Sequence, residues 1–262
     1  MLRALNTAAL GMNSQQQKVD NISNNLANAN TTGYKQSRLV FHDLLYENKP
    51  TPGSGEGEGA AAPAMLQIGH GTTAVATVRD FQQGSLEKTG NVFDIAIQGP
   101  GFFQIQRPGG EVGYSRDGSF TINAEGNLVT QTGLPMEPPV NIPPDATNVS
   151  ISQDGIVNAR FPGEPSAVEI GQIEIVRFPN PAGLEPQGEN LFAQSEASGE
   201  PFIGTPGLDG LGLVRQGFLE GANVNVVQEM VNLIQAQRAY EVNSKMVTTT
   251  EDMLQIANNL KR

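Results

Sequence analysis

The chain has no cysteine, no tryptophan and only two histidines in 262 residues. Without cysteine there is no disulfide framework, no thiolate metal site and no cysteine nucleophile. Four tyrosines and eleven phenylalanines make a thin aromatic supply, so any hydrophobic core must be small for the length. There is no basic run, and a formal charge of −11 repels phosphate backbones and anionic headgroups. Nucleic acid and direct membrane insertion are therefore not expected. No apolar run approaches the ~18 residues of a membrane span. The one apolar stretch near the start, Ala4 to Met12, is broken by Asn6, Thr7 and Gly11 and lacks a signal-peptide core. A route out of the cytoplasm would have to be one that cleaves no signal sequence.

Recognisable catalytic chemistry is also missing. Gly69-His70-Gly71-Thr72-Thr73-Ala74 has the letters of a dinucleotide-binding turn, but Val75, Thr77 and Val78 are β-branched, so no helix N-terminus is expected to meet a pyrophosphate. The run Gly53 to Gly59 carries Glu56 and Glu58, which would repel an anion. His42 and His70 have no ligand-like spacing to each other or to a carboxylate cluster. Asp117 and Asp154 both precede glycine and read as turn carboxylates. No Gly-x-Ser-x-Gly elbow occurs, and the sequons Asn30-Thr31-Thr32 and Asn148-Val149-Ser150 match by chance. No catalytic, cofactor-binding or metal-binding residue is assigned, and no enzyme activity is expected.

What the chain does have is thirty glycines, seventeen prolines and two patterned ends. Leu5, Met12, Val19 and Leu26 recur every seven residues, with Ile22 near the same face. Val226, Leu233, Tyr240, Val247 and Leu254 repeat that step through a stretch free of glycine and proline. The spacing predicts a helix at each end with a narrow apolar seam. Burying such side chains yields roughly 1.5 to 3 kcal/mol each, against an ordering cost above ~1 kcal/mol per residue. Alone each helix is marginal, the more so through the asparagine-rich segment Asn21 to Asn30, so the ends are expected to fold on association. Gly33 reads as the helix stop. From Leu66 to about Gly217, short β-rich runs alternate with turn dipeptides such as Asp117-Gly118, Gly126-Asn127 and Asp154-Gly155. The expected fold class is α+β: N- and C-terminal helices paired as a coiled-coil-like layer, with a central antiparallel β-rich region of one or two domains. The boundaries run 1–32 for the first helix, 33–80 for a connecting domain, 81–200 for the β-rich outer domain, 201–225 for the return of the connecting domain and 226–262 for the last helix. Within 33–80, residues 46–63 have linker composition, with Pro50, Pro52, Gly53 and Pro63.

The segment Ile22 to Lys35, containing Asn24, Asn25, Leu26, Asn28, Gly33, Tyr34 and Lys35, resembles the N-terminal signature of the bacterial flagellar rod and hook proteins. Asn223 to Val226, Glu229 to Val231 and the run through Gln237, Arg238, Tyr240 and Asn243 are similar to the C-terminal signature of that family. Gly101-Phe102-Phe103 and Tyr114 to Phe120 resemble its shared β-domain motifs, so the likeness covers essentially the whole chain.

Within the family, the chain is too short for the added outer domains of hook proteins. The extra segment after Tyr46 resembles the distal-rod branch, where it is linked to a straight, stiff rod. The resemblance implies a torque-transmitting, stiff, hollow drive shaft in the basal body, polymerised through the terminal helices and crossing the periplasm to the outer membrane. It implies type III export, and as partners the chain itself, proximal rod proteins, the hook protein, the surrounding rings and the export apparatus. A proximal-rod or short hook subunit of the same family is the alternative, followed by a secreted β-rich binding module.

Overall fold

Helices form where the seven-residue steps run. α1 spans Leu2–Ala27 and α2 spans Val226–Asn259. Neither contains proline, and Gly11 is the sole glycine in either. The computed structural model describes residues 2–49, 66–163 and 166–260. Its chain divides into two units, one of Met1–Leu26, Ser37–Val78 and Val226–Arg262, the other of Ala27–Gln36 and Arg79–Asn225. The observed class is α+β, two terminal helices packed together with an antiparallel β-rich middle.

α1 ends at Ala27, well before Gly33, which corrects the expected helix stop. The Thr31 N–H donates to the Asn28 carbonyl at 3.1 Å, and the Thr31 hydroxyl to Asn28 Oδ1 at 3.2 Å. These local bonds replace the helical ladder, as Asn and Thr side chains do. Gly33 serves another purpose. Its φ is +68°, and a Cβ there would lie 2.6 Å from the Asp117 nitrogen.

In the first unit, the strand Ser37–Asp43 pairs with Thr72–Arg79. Tyr46–Lys49 pairs antiparallel with Leu66–Gly69, setting Tyr46 opposite Gly69 and Lys49 opposite Leu66. This strand pair frames the segment 46–63. Pro50, Pro52, Gly53 and Pro63 lie outside the described residues. After Gly69 the chain continues as a strand, not the helix a dinucleotide turn requires.

The second unit is antiparallel throughout its registered pairs. Its largest sheet has seven strands, with Phe102–Gln106 bonded to Val112–Ser115, Ile175–Arg177 and Met136–Glu137. Alternation along Phe102–Gln106 divides the apolar residues between two cores. Phe103 and Ile105 join Ile95, Ile97, Phe120 and Leu128, whereas Phe102 joins Tyr114, Phe178 and Phe192. The few aromatics concentrate there, with Phe103 edge-on to Phe120 at 5.2 Å and Tyr114 edge-on to Phe178 at 4.7 Å. The dipeptides Gly126-Asn127 and Asp154-Gly155 turn the chain between paired strands as expected. Gly99 to Gly101 does not make a hairpin: Ile95–Gln98 pairs with Leu213–Gln216 instead of with Phe102–Gln106.

Two glycines separate steric need from conformational preference. A Cβ at Gly118 would lie 1.6 Å from the Ile95 carbonyl oxygen, while one at Gly90, φ +77°, would meet nothing within 4 Å. Gly118→Ala should therefore cost about 3 kcal/mol or more and Gly90→Ala about 1 kcal/mol. Urea midpoints at constant m-value measure both, and equal midpoints would contradict the packing described here.

Candidate assembly surface

The helices of the first unit run antiparallel. A Cβ on Gly11 would lie 2.9 Å from Asn243 Nδ2. Gln16 and Val19 share a groove of about 380 Å³ with Gln237, Tyr240 and Glu241. Asn25 reaches Glu229 at 3.2 Å. Residue numbers fall along one helix as they rise along the other.

Ile22 is buried, and Leu5, Met12, Val19, Leu26, Leu233, Val247 and Leu254 are half-buried. Val226 and Tyr240 remain 41% exposed. The buried residues of α2 are Glu229, Ala236 and Thr250, which with half-buried Asn243 form a second seven-residue row. That row escapes a search for apolar periodicity because it is polar or small. Gly11 and Ala236 mark where little side-chain volume separates the backbones.

Asn25 is the polar centre of this contact. It is 1% exposed, and Glu229 is 3% exposed. Its Nδ2 donates to the Ser37 carbonyl at 2.8 Å and to Glu229 Oε2 at 3.2 Å. Its Oδ1 accepts from the Ser37 N–H at 3.0 Å and the Ser37 hydroxyl at 3.1 Å. Asn21 Nδ2 adds a 2.8 Å bond to Ser37 Oγ. Glu229 lies in the first turn of α2, where a carboxylate is favoured by the helix dipole, and its Oε1 accepts from Asn232 at 3.0 Å. The asparagine-rich signature is thus a tie between α1, the first strand and α2. Asn24 is exposed, and Asn28 makes the turn after α1.

Gly33, Tyr34 and Lys35 belong to the second unit, where they bind the returning segment near residue 220. Lys35 Nζ lies 2.7 Å from Glu220 Oε1 and donates to the Gln82 carbonyl at 2.7 Å. Arg116 Nε pairs with Glu220 Oε2 at 3.1 Å, and its terminal nitrogens donate to the carbonyls of Gly99 and Gly101. All three side chains are at most 4% exposed. The Gly33 N–H donates to the Glu220 carbonyl at 2.8 Å, and the Gln36 N–H to Asn223 Oδ1 at 2.7 Å. Asn223 Nδ2 in turn donates to the Asp80 carbonyl at 2.8 Å. Lys35, Arg116 and Asn223 fall in the N-terminal, β-domain and C-terminal motifs, but nothing in the linear sequence pairs them, and Glu220 lies in none of the three. Burial lowers the Lys35 pKa from the ordinary 10.5, opposed by Glu220 and reinforced by Arg116. The folded chain therefore holds this proton less tightly than the unfolded one. Charged Lys35 costs stability at neutral pH, and that cost disappears as pH rises through the lowered value towards 10.5.

The residues set aside for chemistry have structural partners. The Thr72 hydroxyl donates to the His42 carbonyl at 2.9 Å, and His70 Nδ1 lies 3.0 Å from the Leu45 carbonyl. Asp117 accepts from Ser119 Oγ at 2.7 Å and from Thr32 Oγ1 at 2.9 Å. Among the described residues no three His, Asp or Glu gather in a metal-binding group, and no helix is long and apolar enough to cross a membrane.

Three family models match in chain order. Residues 5–35 match the flagella basal body rod protein, 96–159 the D1 domain of the flagellar hook protein FlgE/F/G, and 215–260 the C-terminal part of the flagellar basal body rod FlgEFG protein. The flagellar basal-body rod protein FlgG of Borreliella burgdorferi is 47% identical over 264 residues, covering 100% of both chains. The chain belongs to the flagellar basal-body rod family. The FlgG of a Buchnera aphidicola strain is 46% identical over 99% of this chain and 100% of its own. The rod protein FlgF of Caulobacter vibrioides is 34% identical over 90% of this chain and 88% of its own. As a rod-family member the chain is a structural subunit of the flagellar distal rod, located in the basal body, that associates with itself and with other rod and hook components.

Three substitutions test the polar ties. Asn25→Ala removes the acceptor of the buried Ser37 N–H and the bond to Glu229, and should cost about 2 to 3 kcal/mol in urea denaturation; a change below ~0.5 kcal/mol would contradict the tie. Glu220→Gln leaves two buried cations without their anion and should cost about 3 to 5 kcal/mol. Lys35→Met leaves the Arg116–Glu220 pair balanced, so it should cost less than Glu220→Gln. The reverse order would contradict the role given to Glu220.

Proposed function

We propose that this chain forms the distal part of the flagellar axle as a helical polymer built through α1 and α2, transmitting torque from the motor to the hook. The observation that carries this reading is 47% identity with a basal-body rod protein over the whole of both chains, terminal helices included. A helical layer offers many subunit contacts in parallel, which suits a shaft under torsion. Asparagine side chains add directional bonds that an apolar seam lacks, because a displaced buried amide costs ~1 to 3 kcal/mol.

Export without a cleaved signal fits helices that are marginal alone and gain their packing on assembly. The shaft would be a stiff, hollow tube crossing the periplasm to the outer membrane, meeting proximal rod proteins, hook protein and the surrounding rings. Tyr46, 53% exposed in the strand pair with Leu66–Gly69, would offer a contact between neighbours, and the resemblance to the distal-rod branch links the segment after it to a stiff shaft. The terminal seams, Leu5 to Leu26 and Val226 to Leu254, would be held in register in the assembled layer.

Sedimentation and circular dichroism should separate the outcomes. The full chain is expected to form rods and gain helical signal with rising concentration, while a version lacking 1–30 and 226–262 stays non-sedimenting. A full chain that remains monomeric with fixed helix content at all concentrations would overturn the reading.

A further inference from the structure

α2 carries exposed apolar side chains on the side away from α1. Its Glu229, Ala236, Asn243 and Thr250 row faces α1, but Val227, Val231, Ile234, Val242, Ile256 and Leu260 lie around the opposite side at about 100° per residue. These six range from 42% exposed at Val231 to 83% at Leu260. The stripe runs about 50 Å; its apolar residues are densest at Val227, Val231 and Ile234, and Arg238, Lys245 and Asp252 are interleaved with the rest. α1 is different: none of its described large apolar side chains is exposed, and its open positions are polar or small, among them Asn6, Asn13, Gln17 and Asp20.

We infer that the back stripe of α2 docks into the α1–α2 groove of a second copy of this chain, the groove lined by Gln16, Val19, Gln237, Tyr240 and Glu241. This rests on the assembly reading above and changes which residues join subunits. The seven-residue seams join α1 to α2 within one chain; the stripe joins one chain to the next. Shape agrees, since a convex row of Val and Ile meets a concave groove whose Tyr240 is 41% exposed. Charge agrees too. Arg238 and Lys245 are exposed within the stripe against a single Asp252, a net positive row, and Glu241 lines the groove. Stripe and groove are different surfaces, so the contact is heterologous, and each added copy presents a fresh stripe and a fresh groove. Such a contact extends without closing.

The absence of cysteine makes the test clean. Gln16→Cys is combined in the full chain with Ile234→Cys, Val242→Cys or Ile256→Cys, and each protein is oxidised where the unmodified chain sediments as rods. At least one double variant should give a non-reducing ladder of trimers and longer species, while every single variant runs as a monomer. In parallel, Ile234→Glu with Val242→Glu should raise the critical concentration at least tenfold with the monomer's helix signal unchanged. Dimers from Val242→Cys alone would mean that stripe meets stripe, which overturns the proposal. Rods without a ladder in any double variant, or an unchanged critical concentration in the glutamate variant, overturn the groove while leaving assembly intact. Failure of the unmodified chain to assemble overturns both.

Discussion

The Asn25 carboxamide ties α1 to the strand that follows it and to α2, 204 residues further on. A single planar group with one acceptor and one two-hydrogen donor meets the Ser37 backbone from both sides and reaches the Glu229 carboxylate. Few other side chains could do this. Aspartate would bring a second negative charge against Glu229, and leucine would leave the strand's N–H without an acceptor in a buried place. The order of the helical layer follows from this tie, because Ser37 begins the strand that pairs with Thr72–Arg79, and Glu229 lies in the first turn of α2. An apolar seam alone is permissive about sliding. A hydrogen-bonded amide fixes the register, much as a buried asparagine does in a coiled coil.

The second unit uses charge for a similar end. Its aromatic supply is small, and what exists is gathered on the two faces of Phe102–Gln106. Where the outgoing and returning strands of the chain meet, the filling is instead Lys35, Glu220 and Arg116. A buried ion group of this kind is a weak source of net stability, since desolvation offsets most of the attraction. Its value lies in direction. Two cations can share one carboxylate only if the segments at 35, 116 and 220 all adopt one arrangement.

The terminal helices were legible because periodicity of seven is a strong signal over more than twenty residues, and the β-rich middle was legible from its turn dipeptides. The other half of the helix contact was not, because Glu229, Ala236, Asn243 and Thr250 look like surface residues until α1 covers them. Nor was the end of α1, where Asn28 and Thr31 compete with the helix before Gly33 is reached. Strand pairing across the middle stayed hidden for a different reason. Ile95–Gln98 finds Leu213–Gln216 more than a hundred residues later, and local patterns carry no record of such distant choices. The site residues were quoted as a signature, but their work depends on partners that only the fold supplies.

The segment that enters the β-rich stretch and the segment that leaves it are bound side by side, Asn223 to the Asp80 carbonyl and the Gly221 N–H to the Ser85 carbonyl. Their separation is therefore set by hydrogen bonds at the neck, and not by the length of what lies between. Such a closed neck makes the middle of the chain a cassette: lengthening a loop there changes only its closure entropy, by roughly 0.6 kcal/mol for each doubling. A family built on this plan is free to enlarge or trim its outer face while the two ends of the cassette keep their spacing.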